Sequence, residues 1–118
     1  MEIKTSVLVV DDNQDLAENI AEILDLRGFV TMIATSGEEA LPRALRDSAS
    51  MLVTDFRLPG MSGAELVRQV RERRRDLRAV VMSAYTDDDT VAAALDAGAD
   101  FLPKPVDFSA LSRFLTAP

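Results

Sequence analysis

Five short apolar runs alternate along this sequence with five segments that have a helical pattern of apolar residues. The runs cover residues 7–10, 30–34, 51–53, 79–82 and 101–102. They are rich in β-branched residues and show little alternation of polar and apolar positions, which is typical of strands buried on both faces. Because strand and helix alternate with connections of only a few residues, the sequence predicts a doubly wound parallel sheet with helices on both faces.

Capping residues predict where the helices begin and end. The expected spans are Asn13 to Gly28, Ser36 onward, Ser62 to about Arg74, Thr86 or Asp87 to Gly98, and a fifth helix that carries Phe108, Leu111 and Leu115. Asn, Asp, Ser or Thr can cap the first turns, and glycine can close a last turn. Pro42 lies too deep in the second helix for its first turn, so we expect a kink or a later start there. The favoured strand order for such a (βα)5 chain is 2-1-3-4-5, the flavodoxin-like α/β arrangement.

The composition excludes several classes of function. With 118 residues, 47% of them hydrophobic, the chain is long enough for one core, and we expect a single domain over residues 1–118. The absence of cysteine and histidine excludes disulfides, metal sites with Cys or His ligands, and catalytic triads built on histidine. A net charge of −7 disfavours direct binding to nucleic acid or to an anionic membrane. No apolar run could span a bilayer, and residues 1–6 are too polar for a secretory signal, so we expect a cytoplasmic protein.

Charged and hydroxyl side chains follow the predicted strands at their carboxyl ends, where open α/β sheets bind ligands. Strand 1 ends in Asp11 and Asp12, strand 3 in Asp55, strand 4 in Ser83 and strand 5 in Lys104. Because neighbouring strands lie about 4.8 Å apart, three carboxylates are expected in one crevice, where each disfavours ionisation of the others. A divalent cation removes this repulsion. Mg²⁺ suits such an oxygen site best, and Mn²⁺ is the alternative ion.

A metal at this position would give Asp55 a second role. One oxygen of its carboxylate can bind the ion while the other attacks phosphorus, which forms an aspartyl phosphate. The metal and the ammonium of Lys104 would neutralise charge on the transferred group, and Ser83 would donate a hydrogen bond to it. The sequence therefore predicts a phosphoacceptor site. Because the chain has no histidine, any phosphohistidine donor belongs to another protein.

Four stretches of sequence carry a family resemblance. They are VLVVDD at strand 1, VTDFRLPGMSG around Asp55, VVMSA before Tyr85 and GADFLPKP around Lys104. With them the chain resembles, over essentially its whole length, a response-regulator receiver domain of two-component signal transduction. The resemblance implies that Asp55 accepts a phosphoryl group, that Lys104 and Ser83 bind it, and that Mg²⁺ is bound by Asp11, Asp12, Asp55 and the backbone carbonyl of Arg57.

The resemblance also implies a switch and a set of partners. Ser83 moves toward the phosphate while Phe101 turns inward, the peptide bond between Lys104 and Pro105 is cis, and Arg57 and Tyr85 set the lifetime of the phosphate. The implied partners are a cognate histidine kinase or histidine phosphotransfer protein, an output domain or target protein, and a second copy bound through helix 4, strand 5 and helix 5. The domain would catalyse only its own phosphorylation and autodephosphorylation.

Each of these residues also has a purely structural interpretation. Asp11 and Asp12 can cap a helix, Asp55 can open a turn, Ser83 can cap and Lys104 can be a solvated loop cation. All five residues are expected along one edge of the sheet, in an order that suits metal binding and phosphoryl transfer. This arrangement favours a phosphoacceptor site over the structural interpretations. The cluster Arg71, Arg73, Arg74 and Arg75 favours a solvated helix end over a nucleic-acid surface, because the net charge is negative. Phe114 is either packing or a partner surface.

Three other functions remain as alternatives. A degenerate receiver would bind partners without phosphorylation, but it would have lost Asp55, Lys104 or a member of the acidic pair. A Mg²⁺-dependent aspartyl-phosphate phosphohydrolase would carry its nucleophile in the first strand and need residues for a lid. A nucleotide-binding module would need a glycine-rich turn after strand 1, where DDNQD stands instead. The chain ends just after helix 5, so we expect either a standalone regulator or a fragment of a longer regulator or hybrid kinase.

Overall fold

The computed structural model describes residues 5–46 and 49–116, which form five strands and five helices. The elements are β1 Ser6–Val10, α1 Gln14–Leu26, β2 Val30–Ala34, α2 Gly37–Arg46, β3 Met51–Asp55, α3 Gly63–Arg73, β4 Arg78–Ser83, α4 Asp88–Asp96, β5 Asp100–Pro103 and α5 Phe108–Thr116. Residues 1–4, which belong to the polar start of the chain, lie outside the described residues, as do residues 47, 48, 117 and 118.

All five strands form one parallel sheet in the order β2-β1-β3-β4-β5. The predicted flavodoxin-like fold and strand order are therefore confirmed. The order reverses between β1 and β3, because the chain leaves β1 first toward β2 and then returns past it. This reversal opens a crevice at the carboxyl ends of β1 and β3, which is where such sheets bind ligands.

Helices cover both faces of the sheet and divide the core into two layers. On one face α2, α3 and α4 pack on buried strand residues such as Leu8 and Leu52. On the other face α1 and α5 pack on residues such as Val9 and Val53, with Leu111 and Leu115 of α5 buried as predicted. Phe114 lies half-buried against this second layer. None of the helices in the described part of the chain is long and apolar enough to cross a membrane.

Most helix boundaries agree with the capping signals. Asn13 caps α1, and its side chain accepts a hydrogen bond from the amide of Leu16 at 3.2 Å. Asp87 is the N-cap of α4, and the helices α1 and α4 are followed by Gly28 and Gly98, each with a positive φ. The sequence predicted a kink or a later start for α2, and the later start is wrong: the helix begins at Gly37 and includes Pro42. Its buried residues Ala40 and Ala44 lie on either side of this proline, and their packing on the sheet outweighs the lost backbone hydrogen bond.

The arginines at the end of α3 divide into two groups. Arg71 donates to the carbonyl oxygen of Leu77, and Arg74 donates to those of Ala44 and Ala49 at 3.0 and 2.7 Å. These contacts tie α3 to the start of β4 and to the segment before β3. Arg73 and Arg75 are exposed. The predicted solvated helix end is therefore confirmed for Arg73 and Arg75 and is wrong for Arg71 and Arg74, which are half-buried because they bind backbone carbonyls.

Pro103 lies in β5, at the edge of the sheet, as expected for a proline in a strand. The amide of Lys104 donates to the carbonyl oxygen of Ser83 in β4 at 2.8 Å. Because successive amides of a strand point to opposite sides, the nitrogen of Pro103 faces away from β4. The donor that proline lacks would have pointed to the free edge, so no hydrogen bond of the sheet is lost.

Candidate functional site

The crevice between β1 and β3 brings three carboxylates together. Val10 pairs with Thr54 in the register of these strands, so Asp11 and Asp55 follow side by side at the carboxyl edge. Asp11, Asp12 and Asp55 each offer an oxygen atom, and these oxygens all lie within 4.8 Å of one another. Asp11 is buried, Asp12 is exposed and Asp55 is half-buried. The arrangement that the sequence predicted for these residues is therefore present in the structure.

Carboxylate oxygens in this arrangement fit a hard divalent cation. Mg²⁺ is commonly bound through one or two carboxylates and keeps several water ligands, so it needs a cluster that is open on one side. The exposed Asp12 provides the open side, and the buried Asp11 provides a fixed oxygen. The amide of Asn13 donates to Oδ1 of Asp11 at 3.0 Å, which orients that carboxylate at the start of α1.

Lys104 reaches into the same cluster from β5. Its Nζ lies 3.1 Å from Oδ2 of Asp11 and 3.3 Å from Oδ1 of Asp55, and the side chain is 19% exposed. One ammonium group therefore contacts a carboxylate on β1 and another on β3. The backbone hydrogen bond from the Lys104 amide to Ser83 fixes the base of this side chain. The peptide bond from Lys104 to Pro105 is cis, as the family resemblance implies.

The charges in this cluster shift the pKa values of two groups. Burial raises the pKa of Asp55, the nearby Lys104 ammonium opposes the increase, and the negative charge of Asp11 adds to it. For Lys104, burial lowers the pKa, but the hydrogen bond to Asp11 and the charges of Asp55 and Asp11 outweigh it, so that the net pKa is raised. The ammonium is thus held in its charged form beside a carboxylate whose charge is disfavoured.

Ser83 ends β4, the strand next to Asp55. Met82 pairs with Asp55 in the register, and Ser83 is the following residue, with its side chain buried. Its Oγ accepts a hydrogen bond from the amide of Tyr85 at 3.0 Å, so the hydroxyl hydrogen is left to donate to another group. Phe101, the second predicted switch residue, is half-buried and packs against the core layer of α2, α3 and α4.

The side chains of Arg57 and Tyr85 contact each other at the carboxyl edge of the sheet, beyond β3 and β4. Arg57 follows β3 and Tyr85 follows β4, and the guanidinium carbon of Arg57 lies 4.1 Å from the centre of the Tyr85 ring. Both side chains are exposed. The sequence predicted a role for both residues in the lifetime of the phosphate, but it did not predict this cation–π contact. Long side chains on separate loops leave no spacing signal that could have indicated it.

Gly63 is a positioning residue that the sequence analysis missed. A Cβ atom at this position would lie 2.1 Å from the carbonyl oxygen of Asp55, so only glycine lets the first residue of α3 approach the backbone of Asp55. The Gly63 amide donates to the carbonyl oxygen of Phe56 at 2.7 Å. Ser62 caps this helix by accepting from the amide of Glu65 at 3.1 Å. The available signal was a glycine directly after a capping serine, at a position where alanine would favour the helix more.

Known proteins are similar to this chain in sequence over most of its length. The family model of the response regulator receiver domain matches residues 7–116. A response regulator receiver protein of Anaeromyxobacter sp. (strain Fw109-5) is 46% identical over 100 residues, which are 84% of this chain and 42% of that protein. The chain spans less than half the length of the first curated relatives it matches.

Solved structures show the same fold. A response regulator receiver protein from Pseudomonas putida, whose crystal structure is known, is 31% identical in sequence to this chain. The two structures match with a TM-score of 0.91 over 100% of each chain. A response regulator protein from Burkholderia pseudomallei, crystallised with a phosphorylated aspartic acid, a calcium ion and citrate, is 28% identical with a TM-score of 0.88. That match covers 97% of this chain and 68% of the other.

Proposed function

The chain belongs to the response regulator receiver domain family, and from this premise we propose that it accepts a phosphoryl group on Asp55 with the help of Mg²⁺. As a receiver domain it is part of two-component signalling. The proposal goes further, because it assigns roles to individual residues. Asp11, Asp12 and Asp55 would hold the ion together with the backbone carbonyl of Arg57, and Lys104 and Ser83 would bind the phosphoryl group. Mn²⁺ would fit the same oxygen ligands.

One observation supports the proposal most strongly. Three carboxylates lie within 4.8 Å of one another, and a single ammonium, that of Lys104, contacts two of them. One positive charge among three negative charges leaves the cluster with excess negative charge, which a divalent cation would neutralise. None of the residues whose loss would mark a degenerate receiver is missing from this set. The chain therefore has the groups needed for phosphorylation.

The transfer follows from the positions of these groups. An oxygen of the Asp55 carboxylate attacks phosphorus, a P–O bond forms, and the P–N bond to the donor imidazole breaks with its electron pair going to that nitrogen. The ammonium of Lys104, already 3.3 Å from Asp55, pairs with a phosphoryl oxygen. The buried Ser83 hydroxyl donates its hydrogen to another. Bound Mg²⁺ would supply further neutralisation of charge on the transferred group.

The proposal includes a switch and partners. When Ser83 turns toward the phosphoryl group, Phe101 moves inward by packing alone, because it has no hydroxyl group with which to form a hydrogen bond. We propose that the phosphoryl donor is a histidine kinase or a histidine phosphotransfer protein, and that the face made by α4, β5 and α5 binds an output domain, a target protein or a second copy. The domain acts as a signalling switch, whose own catalysis is limited to its phosphorylation and autodephosphorylation.

Phosphorylation can be tested with a small-molecule donor. Incubation with acetyl phosphate and Mg²⁺, followed by intact-mass measurement, is expected to add one phosphoryl group to the wild-type chain and none to Asp55→Asn. Asp100→Asn is a matched control, because Asp100 is an exposed aspartate at the first position of β5, at the opposite end of that strand from Lys104. An unmodified wild-type mass, or equal modification of Asp55→Asn, would contradict the proposal.

The metal role needs a separate experiment. Asp12→Ala removes one carboxylate from the cluster and leaves Asp55 in place, so it is expected to weaken Mg²⁺ binding and nearly abolish transfer. A chelator is expected to have the same effect on the wild-type protein. Phosphorylation that proceeds equally well in the presence of chelator would exclude the metal, while leaving the phosphoacceptor role of Asp55 intact.

A further inference from the structure

The Arg57 side chain connects two loops at the carboxyl edge of the sheet. Its backbone follows β3, two residues after Asp55, and its guanidinium lies over the ring of Tyr85, two residues after Ser83 in β4. The contact therefore joins the loop that carries the phosphoacceptor to the loop that leads into α4. Both loops leave the carboxyl edge of the sheet, one after Asp55 and the other after Ser83.

The same guanidinium also acts on the start of α4. Asp87 caps this helix and accepts hydrogen bonds from the amide and the hydroxyl of Thr90 at 3.1 and 2.9 Å. These bonds lower the pKa of Asp87, and the positive charge of Arg57 lowers it further. The guanidinium thus lies over the ring of Tyr85 in the connection between β4 and α4, and its positive charge also favours the charged form of the capping carboxylate of α4.

A phosphoryl group on Asp55 would compete for this guanidinium. It carries between one and two negative charges and three acceptor oxygens, and it would lie two residues from Arg57. Arginine binds phosphate through a planar fork of donors, and these charge-assisted hydrogen bonds are stronger than an exposed cation–π contact. The Lys104 ammonium is already shared between Asp11 and Asp55. A second cation near Asp55 would therefore neutralise negative charge that Lys104 leaves on the phosphoryl group.

We propose that Arg57 is a phosphate-sensitive latch, which holds Tyr85 while Asp55 is unmodified and moves to the phosphoryl group once Asp55 carries one. This inference rests on the proposed phosphorylation of Asp55. Its consequence is that phosphorylation releases Tyr85 and withdraws positive charge from Asp87, so the loop between β4 and α4 becomes free to rearrange. This link acts in addition to Ser83, whose Oγ binds the amide of the same Tyr85.

The composition of the chain provides a direct reporter of the latch. Tyr85 is the one tyrosine of the sequence, and there is no tryptophan, so tyrosine fluorescence comes from the latch alone. Acrylamide quenching would be measured with and without beryllofluoride and Mg²⁺, since beryllofluoride mimics a phosphoryl group on a carboxylate. Quenching is expected to increase in the wild-type protein when the ring is uncovered. In Arg57→Ala the quenching is expected to be high from the start and to stay constant.

The affinity for beryllofluoride tests the competition itself. In the wild-type protein binding must break the contact with Tyr85, so Tyr85→Ala is expected to tighten beryllofluoride binding by about two- to fivefold, the equivalent of an exposed cation–π contact. Tyr85→Phe keeps an aromatic face and is the matched control, with an affinity close to that of the wild type. In an Arg57→Ala background Tyr85→Ala is expected to have no further effect. Fluorine NMR of the bound ligand would measure the beryllofluoride affinity of the wild type, the three single variants and the double variant.

The outcomes separate this inference from the proposed function. Three outcomes would each overturn the latch and leave Asp55 as the proposed phosphoacceptor. The first is a wild-type protein that binds beryllofluoride without a change in quenching, and the second is an equal increase in quenching in Arg57→Ala. The third is beryllofluoride binding to Tyr85→Ala that is unchanged or weaker than in the wild type. Phosphorylation of each variant is verified by intact mass after acetyl phosphate. A wild-type protein that neither gains phosphoryl mass nor binds beryllofluoride would overturn both proposals.

Discussion

Replacing Asp55 by asparagine is expected to stabilise the metal-free protein, although it removes the proposed phosphoacceptor. The side chain of Asp55 is 13% exposed and shares its crevice with two other carboxylates. Burial raises its pKa, Lys104 opposes this, and Asp11 adds to it, so the charged form of Asp55 is disfavoured in the folded state. Asparagine has nearly the same shape but no charge, and it relieves this cost.

The distances give the size of the effect. At an effective dielectric constant of about 20, unit charges 4.8 Å apart repel by about 3.5 kcal/mol. Because 4.8 Å is the upper limit for the separation of these oxygens, Asp11 contributes at least about this amount, and the exposed Asp12 contributes less because solvent screens it. The attraction to Lys104 at 3.3 Å is about 5 kcal/mol on the same scale. The substitution removes the repulsion and the burial of a charge, and it also removes the attraction to Lys104. We expect the sum of these effects to be a net stabilisation of about 1–2 kcal/mol.

Urea unfolding at pH 7.5 with EDTA, followed by circular dichroism, would measure this difference. For an m-value of about 2 kcal/mol/M the midpoint is expected to rise by roughly 0.5–1 M with m unchanged. The exposed control Asp100→Asn is expected to stay within about 0.5 kcal/mol of the wild type. An Asp55→Asn variant that is equally stable or less stable without metal would refute the electrostatic reasoning.

The pH dependence has a defined sign. Because the folded-state pKa of Asp55 is raised, the folded protein binds this proton more tightly than the unfolded chain does. The corresponding stability is fully present below the ordinary pKa of 3.8 and is lost as pH rises through the folded-state value. Asparagine has no such loss, so the advantage of Asp55→Asn is expected to grow as pH rises from the ordinary pKa to the raised folded-state pKa and to stay constant above it. An advantage of equal size at every pH would contradict an ionisation effect.

Three further predictions concern the metal, the α3 junction and the core. Mg²⁺ at about 100 times its dissociation constant is expected to stabilise the wild type by about 2.7 kcal/mol, and Asp12→Ala is expected to lose most of this gain in urea unfolding; an equal gain in the variant would argue for ligands elsewhere. Gly63→Ala is expected to destabilise by about 1–3 kcal/mol and to slow acetyl phosphate modification, because its Cβ would press on the Asp55 carbonyl; unchanged rate and stability would show that the backbone adapts. Leu111→Ala removes a fully buried side chain and is expected to cost about 2–5 kcal/mol in urea unfolding, against little change for the exposed Arg113→Ala.

Much of the fold could be predicted because local and tertiary signals agree. The apolar runs mark strands buried on both faces, and caps such as Asn13 and Ser62 mark helix starts whose hydrogen bonds are present in the structure. The start of α2 was less predictable, since Pro42 argues against a continuous helix locally. The buried faces of Ala40 and Ala44 decide the outcome, and their contacts are visible only in three dimensions.

The candidate site divides in a similar way. That Asp11 and Asp55 lie side by side follows from strand order, because parallel strands end at one edge. That Lys104 contacts both of them depends on the path of β5 and on the side-chain conformation, which spacing does not encode. The contact between Arg57 and Tyr85 depends on two flexible side chains in loops. The roles of these residues in phosphorylation remain predictions.

The proline in β5 limits how this protein can associate with others. Because the nitrogen of Pro103 faces outward, a neighbouring strand would find no amide donor there, and the edge is a poor template for continuing the sheet into another molecule. We therefore expect a partner on this flank to be recognised mainly by side chains rather than by continuation of the sheet. Substitutions of exposed side chains on this flank would then change its binding properties without altering the sheet.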